Sequence, residues 1–231
     1  MSDLAQILER WGQSLCSEIP VRSLVARCPI AHKWKAPYRA LVVREALLWR
    51  MHDLGQQILC LRSHAHILGE RILIRAAIET FAILVYLNAK ISGVLNGTVE
   101  YEEFDQLTKQ LLMGSKNFTT RVAAVNVLTA LKHAEKRHSG IVSMHEHFSE
   151  SAHPNYDGVL CGYSTTHPEL FETRFSHQFE AMFGAEQEPA AAFVFVAFGV
   201  EYNEVWPENF NRLETWLREN NARLESSSNV I

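Results

Sequence analysis

The sequence has none of the short motifs that usually identify an enzyme or a metal protein. Its four cysteines are scattered at positions 16, 28, 60 and 161 without a CxxC pair, which argues against a zinc knuckle or a disulfide framework. Gly-rich phosphate loops, a nucleophile elbow and HExxH are also absent. The first residues are acidic and polar and give no secretory signal. We therefore predict a cytoplasmic protein with free thiols, no metal and no cofactor.

The sequence also has no long apolar run that is free of charge. Its most apolar stretch, residues 72–91, carries Arg75 and Glu79. A charge at the centre of a bilayer costs about 2.5–3.5 kcal/mol by insertion scales, whereas a helix that is apolar nearly all round suits the interior of a protein. We therefore predict the central helix of a soluble bundle, without a membrane partner.

Strand signals are equally scarce, because no segment alternates polar and apolar residues between hairpin turns. Apolar residues recur instead at helical spacing, including over 118–137 and 168–183. The pattern predicts an all-α bundle of about seven to nine helices. We expect a single helical domain over residues 1–231, with an N-terminal helix and basic connector (1–36), a core bundle (37–165) and C-terminal helices (166–231).

Arg75 and Glu79 are four residues apart, so they lie on one face of the central helix and can contact each other. Buried Arg and Glu are rare unless they are paired. One interpretation is an internal ion pair that fixes the register of the bundle. The other is that the two residues line a polar pocket inside it.

A second group of polar residues ends a short helix at His153, since the following Pro154 disfavours the α conformation there. Three interpretations compete. Glu150-x-x-His153, repeated as Glu135-x-x-His138, has the spacing of carboxylate-bridged metal bundles. Alternatively, Glu150 orients His153 for acid–base catalysis. In the third interpretation these residues are structural: they terminate the helix, and His153 docks on the Arg75–Glu79 pair.

Charge is distributed unevenly along the chain. Residues 19–50 carry seven basic residues and one acid, whereas residues 146–231 carry fourteen acids and four basic residues. Aromatic residues interleave with the basic ones, which is typical of surfaces that meet nucleic acid or an acidic partner. The predicted binding residues are Lys33, Lys35 and Arg39. Alternatively, the basic segment packs beside the acidic part of the same fold or of a second subunit.

The R-x-x-x-E of Arg75 and Glu79 is followed by S-E-x-x-H-P-N, residues 149–155. Over about residues 40–165 the chain resembles uncharacterised bacterial helical proteins of the broad HEPN-like group. That resemblance implies a helical bundle, often dimeric, in toxin–antitoxin or phage-defence settings. Some members are metal-independent ribonucleases and others have lost activity. Active members carry Arg and His on one helix, and this chain departs from that pattern because its Arg27-x4-His32 contains Pro29.

The leading hypothesis is a homodimeric HEPN-like protein that binds or cleaves RNA in a toxin or defence setting. Its polar pocket would contain Arg75, Glu79, Glu150, His153, Asn155 and Tyr156. His153 would be the general acid or base, Arg75 would stabilise the phosphate charge, and Glu79 would orient Arg75. Two alternatives stay open: a protein-interaction module in which Arg75, Glu79 and His153 are structural, and a metal-carboxylate bundle.

Overall fold

The computed structural model describes residues 3–228, which form an all-α bundle with one small β-hairpin. The helices in this range are α1 (Asp3–Ser14), α2 (Val21–Arg27), α3 (Pro29–His32), α4 (Lys35–Ser63), α5 (Ile67–Leu95), α6 (Tyr101–Met113), α7 (Val127–Glu135), α8 (Ile141–Glu150), α9 (Phe179–Phe183), α10 (Gln187–Val200), α11 (Trp206–Glu219) and α12 (Asn221–Ser228). The strands are β1 (Ser164–His167) and β2 (Glu172–Phe175). The predicted fold class is confirmed. The described residues contain twelve helices, more than the predicted seven to nine, because the short helices α2, α3 and α9 lie in the connectors.

The central helix is α5, which is longer than the predicted 72–91 at both ends. It packs against α4, α7, α8, α10 and α11. By length and composition α5 is the one helix among residues 3–228 that could cross a membrane, and most of its apolar stretch is buried inside this chain. A helix that is apolar nearly all round is placed in the interior because any exposed face would leave apolar surface in water.

The apolar core has two main parts, which lie along successive stretches of α5, residues 74–86 and residues 87–94. In the larger part, α1 and α10 meet where the ring of Trp11 stacks on Phe195, with centroids 5.8 Å apart. In the other part, Trp206 and Phe210 of α11 stack on each other at 5.2 Å, close to the start of α4. The two parts of the core therefore pack the N-terminal and C-terminal helices against α4 and α5.

Helix α10 covers residues 190–198, an apolar run that has the composition of a buried strand. A π-helical turn, Glu201–Val205, follows it directly and leads into α11. Glu201 is fully buried and its carboxylate bonds to Asn88 Nδ2 at 2.8 Å and to His138 at 2.9 Å, with Arg137 as a further partner. A buried carboxylate needs such partners, since an isolated one is very costly to remove from water.

Two predicted helices were wrong. Of residues 118–137, only Val127–Glu135 is α-helical, because the Asn126 side chain accepts the N–H of Leu128 at 3.0 Å and caps the helix there. Residues 168–183 contain β2, which pairs antiparallel with β1 in the register Ser164↔Phe175 to His167↔Glu172. The turn before β2 begins at Pro168 and ends at Phe171, whose φ of +54° is a conformation that bulky residues rarely adopt.

Candidate functional site

Helix α8 brings His145 onto α5. Its buried side chains Ile141 and Phe148 face the core, which places His145 against the Arg75–Glu79 pair. His145 Nε2 lies 3.0 Å from Glu79 Oε1. The predicted ion pair is present, with Arg75 Nε 3.3 Å from the same carboxylate oxygen, although that Nε makes no aligned hydrogen bond among the described residues.

One helical turn before Arg75, Arg71 is completely buried. Its Nε donates to Ser151 Oγ at 2.6 Å, its Nη1 to Glu186 Oε2 at 2.9 Å and its Nη2 to the carbonyl oxygen of His147 at 3.3 Å. One guanidinium thus joins α5 to the end of α8 and to the turn before α10. Such a fork of donors suits Arg rather than Lys.

Aromatic rings complete the surroundings of Arg71. The guanidinium carbon lies 4.6 Å from the ring centre of Phe148 and 4.3 Å from that of Phe183, within the range of cation–π attraction. Burial lowers the pKa of Arg71, and the hydrogen bond and charge of Glu186 act in the opposite direction. Because Arg71 is enclosed on every side, it does not face solvent. Its role is to hold the neighbouring residues of the site in position.

His147 and Glu186 form a partly exposed pair in front of Arg71. His147 Nε2 lies 2.6 Å from Glu186 Oε2, and the two side chains are 49% and 43% exposed. Arg71 Nη2 lies 3.2 Å from the same ring nitrogen. One nitrogen cannot donate and accept at once, so the shorter distance assigns the Nε2–H to Glu186. Nδ1 is then the nitrogen that can take up a proton.

The electrostatics of this pair keep Glu186 ionised. Burial alone would raise the pKa of Glu186, but hydrogen bonds from His147 and Arg71 outweigh it and hold the pKa below its usual value. The arrangement is therefore a histidine oriented by a carboxylate, with a buried cation behind the carboxylate. Groups of this kind orient a general base.

The other predicted residues of the polar pocket lie in the segment after α8. His153 is exposed, Glu150 accepts a hydrogen bond from Asn155 Nδ2, and Asn155 Oδ1 accepts the N–H of Gly158 at 3.1 Å. Tyr156 is 68% exposed. Within residues 3–228 the histidine that contacts Glu79 is His145, and the catalytic role of His153 stays a prediction.

The residues of the two Glu-x-x-His motifs have different partners in the structure and do not come together. Glu135 accepts the backbone N–H groups of Gly140 at 2.8 Å and Val142 at 2.9 Å, which lower its pKa, while His138 turns to Glu201. Over the described part of the chain, no group of three His, Cys, Asp or Glu side chains is placed to hold a metal ion. The spacing alone therefore does not assemble a carboxylate–histidine centre there.

The basic segment packs against acids of the same chain, as one of the two alternatives predicted. Glu214 of α11 contacts Arg27 at 2.5 Å and His32 at 2.6 Å. Lys33 pairs with Glu225 of α12, and Arg39 pairs with Asp105 of α6. Much of the positive charge is thus already neutralised. The three predicted binding residues nevertheless line one groove, which has a volume of about 800 Å³.

Sequence reasoning missed Arg71, His145, His147 and Glu186. The sequence did indicate Arg71 as a neighbour of the site, because it precedes Arg75 by four residues and shares its helix face. No such indication exists for Glu186, because it lies in a turn 39 residues after His147 and only the packing of α9 and α10 brings it back.

Comparison of the chain with protein-family models, curated proteins and solved structures found no significant match.

Proposed function

We propose that the protein acts on RNA by metal-independent acid–base chemistry where α8 meets α5, with His147 as the proton-moving group. The observation that carries the proposal is the 2.6 Å pair of His147 and Glu186, half-exposed in front of the buried Arg71. RNA as the substrate class follows from the resemblance of the two sequence motifs to the HEPN-like group.

In the proposed reaction, His147 Nδ1 takes the proton from a ribose 2′-hydroxyl, and the 2′-oxygen attacks the adjacent phosphorus. The bond from phosphorus to the 5′-oxygen breaks and leaves a 2′,3′-cyclic phosphate. The 5′-oxygen takes a proton from water, and the histidinium gives its proton to the hydroxide that remains. Arg75, whose side chain is 31% exposed, would stabilise the charge on the phosphate oxygens, and Glu79 would orient it. These last two roles are the ones predicted from the sequence.

The test compares wild type with His147→Ala, Glu186→Gln and His153→Ala on a mixed RNA pool with a chelator present. We expect cleavage by the wild type and by His153→Ala, and a loss of about 100-fold or more in His147→Ala, the usual contribution of a general base. Glu186→Gln should fall between them, because the amide no longer holds the ring in its tautomer. Melting temperatures of all four proteins control for folding.

The proposal fails if the wild type leaves the RNA intact, or if His147→Ala cleaves as fast as the wild type. Loss of cleavage in His153→Ala alone, with a normal melting temperature, would transfer the catalytic role to His153. Identical purification of the variants separates this activity from a contaminating nuclease.

A second candidate function is contact with another protein, and the β-hairpin favours it. Phe171 and Phe175 are 98% and 81% exposed, and β2 has one unpaired edge in the described structure. The segment Phe171–Phe175 reads F-E-T-R-F, so antiparallel pairing with a second copy about Thr173 would place Glu172 opposite Arg174 twice. This self-complementary edge supports the predicted homodimer.

A further inference from the structure

We propose that the groove between the start of α4 and α6 binds a small aromatic organic anion of about nucleotide size. Its walls come from residues 33–39 on one side and residues 101–113 on the other, with Leu224 of α12 at the margin. This site is separate from the His147 cluster, and the inference does not depend on the proposed function.

The shape and lining of the groove suit a ring-sized ligand. Its volume of about 800 Å³ lies within the roughly 300–1,000 Å³ of small-molecule sites. Three aromatic side chains, Trp34, Tyr38 and Tyr101, line it together with the aliphatic Leu112 and Met113. Rings prefer to stack on or meet the edges of other rings, as Trp34 and Tyr101 already do at 5.9 Å.

The charge at one end of the groove calls for an anion. Helix α4 begins there at Lys35, and neither a capping side chain nor an acid occupies its first turn. Lys35 has no ion-pair partner within residues 3–228, and Lys33 also lines this end, where it pairs with the exposed Glu225. Positive side chains at the positive end of a helix dipole are unfavourable alone, so a bound anion would stabilise both.

The acidic residues that line the groove do not neutralise the positive charge at the start of α4. Asp105 accepts hydrogen bonds from Arg39 and is 3.1 Å from Lys109, so two cations already neutralise it. Glu102 is exposed on the opposite wall, on α6. Lys35 is the cation of the groove that has no acidic partner among the described residues, and the anionic group of the ligand should lie there.

Two buried polar atoms on the groove walls lack partners. The Tyr101 side chain is only 4% exposed, and its hydroxyl makes no hydrogen bond within the described residues. The Nε1–H of Trp34 is likewise buried and unpaired there. Buried donors without acceptors destabilise a fold, and they are uncommon in native proteins. A ligand that carries acceptors on a flat ring would satisfy them, which the apolar residues of the groove cannot do.

The experiment is calorimetric titration of the full chain with four probes. AMP and indole-3-acetate are aromatic anions with a phosphate and a carboxylate head, adenosine has the ring without the charge, and inorganic phosphate has the charge without the ring. We expect at least one aromatic anion to saturate with a Kd below about 1 mM, and adenosine and phosphate to bind at least about tenfold more weakly. The tighter binder of the two aromatic anions shows whether the site prefers a phosphate or a carboxylate group.

Two variants tie the binding to the groove. Lys35→Glu should weaken the aromatic anion at least about tenfold, while Lys132→Glu, an exposed charge change on α7, should leave its affinity unchanged. Tyr101→Phe should weaken the ligand several-fold without lowering the melting temperature of the free protein, because it removes an unpaired hydroxyl. A purely structural Tyr101 would show the opposite pattern.

The inference is overturned if neither aromatic anion saturates, if adenosine binds as tightly as the aromatic anion that saturates, or if the Lys35→Glu and Lys132→Glu proteins bind that anion alike. The His147→Ala protein should bind the aromatic anion as tightly as the wild type does, so failure of this site and failure of the His147 proposal can be told apart.

Discussion

At the scale of single residues, Arg71 determines how the polar cluster is held. Its donors are shared among Ser151, Glu186 and the carbonyl oxygen of His147, and no part of its side chain is exposed. A buried charge contributes little by itself but is costly to unpair. The consequence is that Arg71 and Arg75, one turn apart on the same helix, should have very different effects on stability.

We predict that Arg71→Met lowers the free energy of unfolding by about 1–3 kcal/mol, because it removes the buried donor of Ser151 Oγ and of the His147 carbonyl oxygen. Arg75→Met is the matched control and should cost about 1 kcal/mol or less, since its ion pair with Glu79 is partly exposed. Urea denaturation of the two variants measures the difference. Equal losses would mean that Arg71 does not hold α8 and the α10 turn in place.

The residue scale also shows where sequence reasoning reaches its limit. The contact between Arg75 and Glu79 could be predicted, because residues four apart on a helix are neighbours whatever surrounds them. The contact of Glu79 with His145 could not, because 66 residues separate them and it depends on how α8 crosses α5.

At the scale of elements, two glycines show how closely the helices approach. A Cβ on Gly55 of α4 would lie 2.5 Å from Leu8 of α1 and 2.7 Å from Phe195 of α10. A Cβ on Gly199 of α10 would meet Trp11 at an ordinary 3.7 Å. The close packing of α1, α4 and α10 therefore requires a residue without a side chain at position 55.

Gly55→Ala should lower the free energy of unfolding by about 1–3 kcal/mol, because the added methyl group overpacks the core. Gly199→Ala should raise it by about 0.5–1 kcal/mol, since alanine restricts the unfolded chain and finds room in the helix. Thermal and urea denaturation of both variants provide the measurement. Stabilisation by Gly55→Ala would show that α1 is less tightly packed than the structure has it.

At the scale of the whole molecule, the uneven charge of the chain is resolved within the chain. Basic residues of α2 and α3 and the segment after them meet acids of α11 and α12, notably at Glu214 and Glu225. Although the overall net charge is only −4, the chain thus has a basic N-terminal segment and an acidic C-terminal segment that pack together. The hairpin, in contrast, exposes the apolar side chains of Phe171 and Phe175.

Assembly through that hairpin predicts a charge-swap pattern. Glu172→Arg and Arg174→Glu should each disrupt the homodimer, because like charges would then lie opposite each other across the new edge. The double swap should restore it, and a mixture of the two single variants should form a heterodimer. Analytical ultracentrifugation measures the mass of each. A wild-type protein that stays monomeric, or single variants that stay dimeric, would exclude this mode of assembly.

The sequence by itself determined the helical class, the central position of α5 and the Arg75–Glu79 pair. Each follows from local periodicity, which is set by residues within one or two turns. Only the tertiary structure decided that His145 and His147 reach α5, that Glu186 returns to Arg71, and that residues 164–175 form a hairpin. These depend on distant segments packing together, and the free energy of that packing is not encoded in any short stretch of the chain.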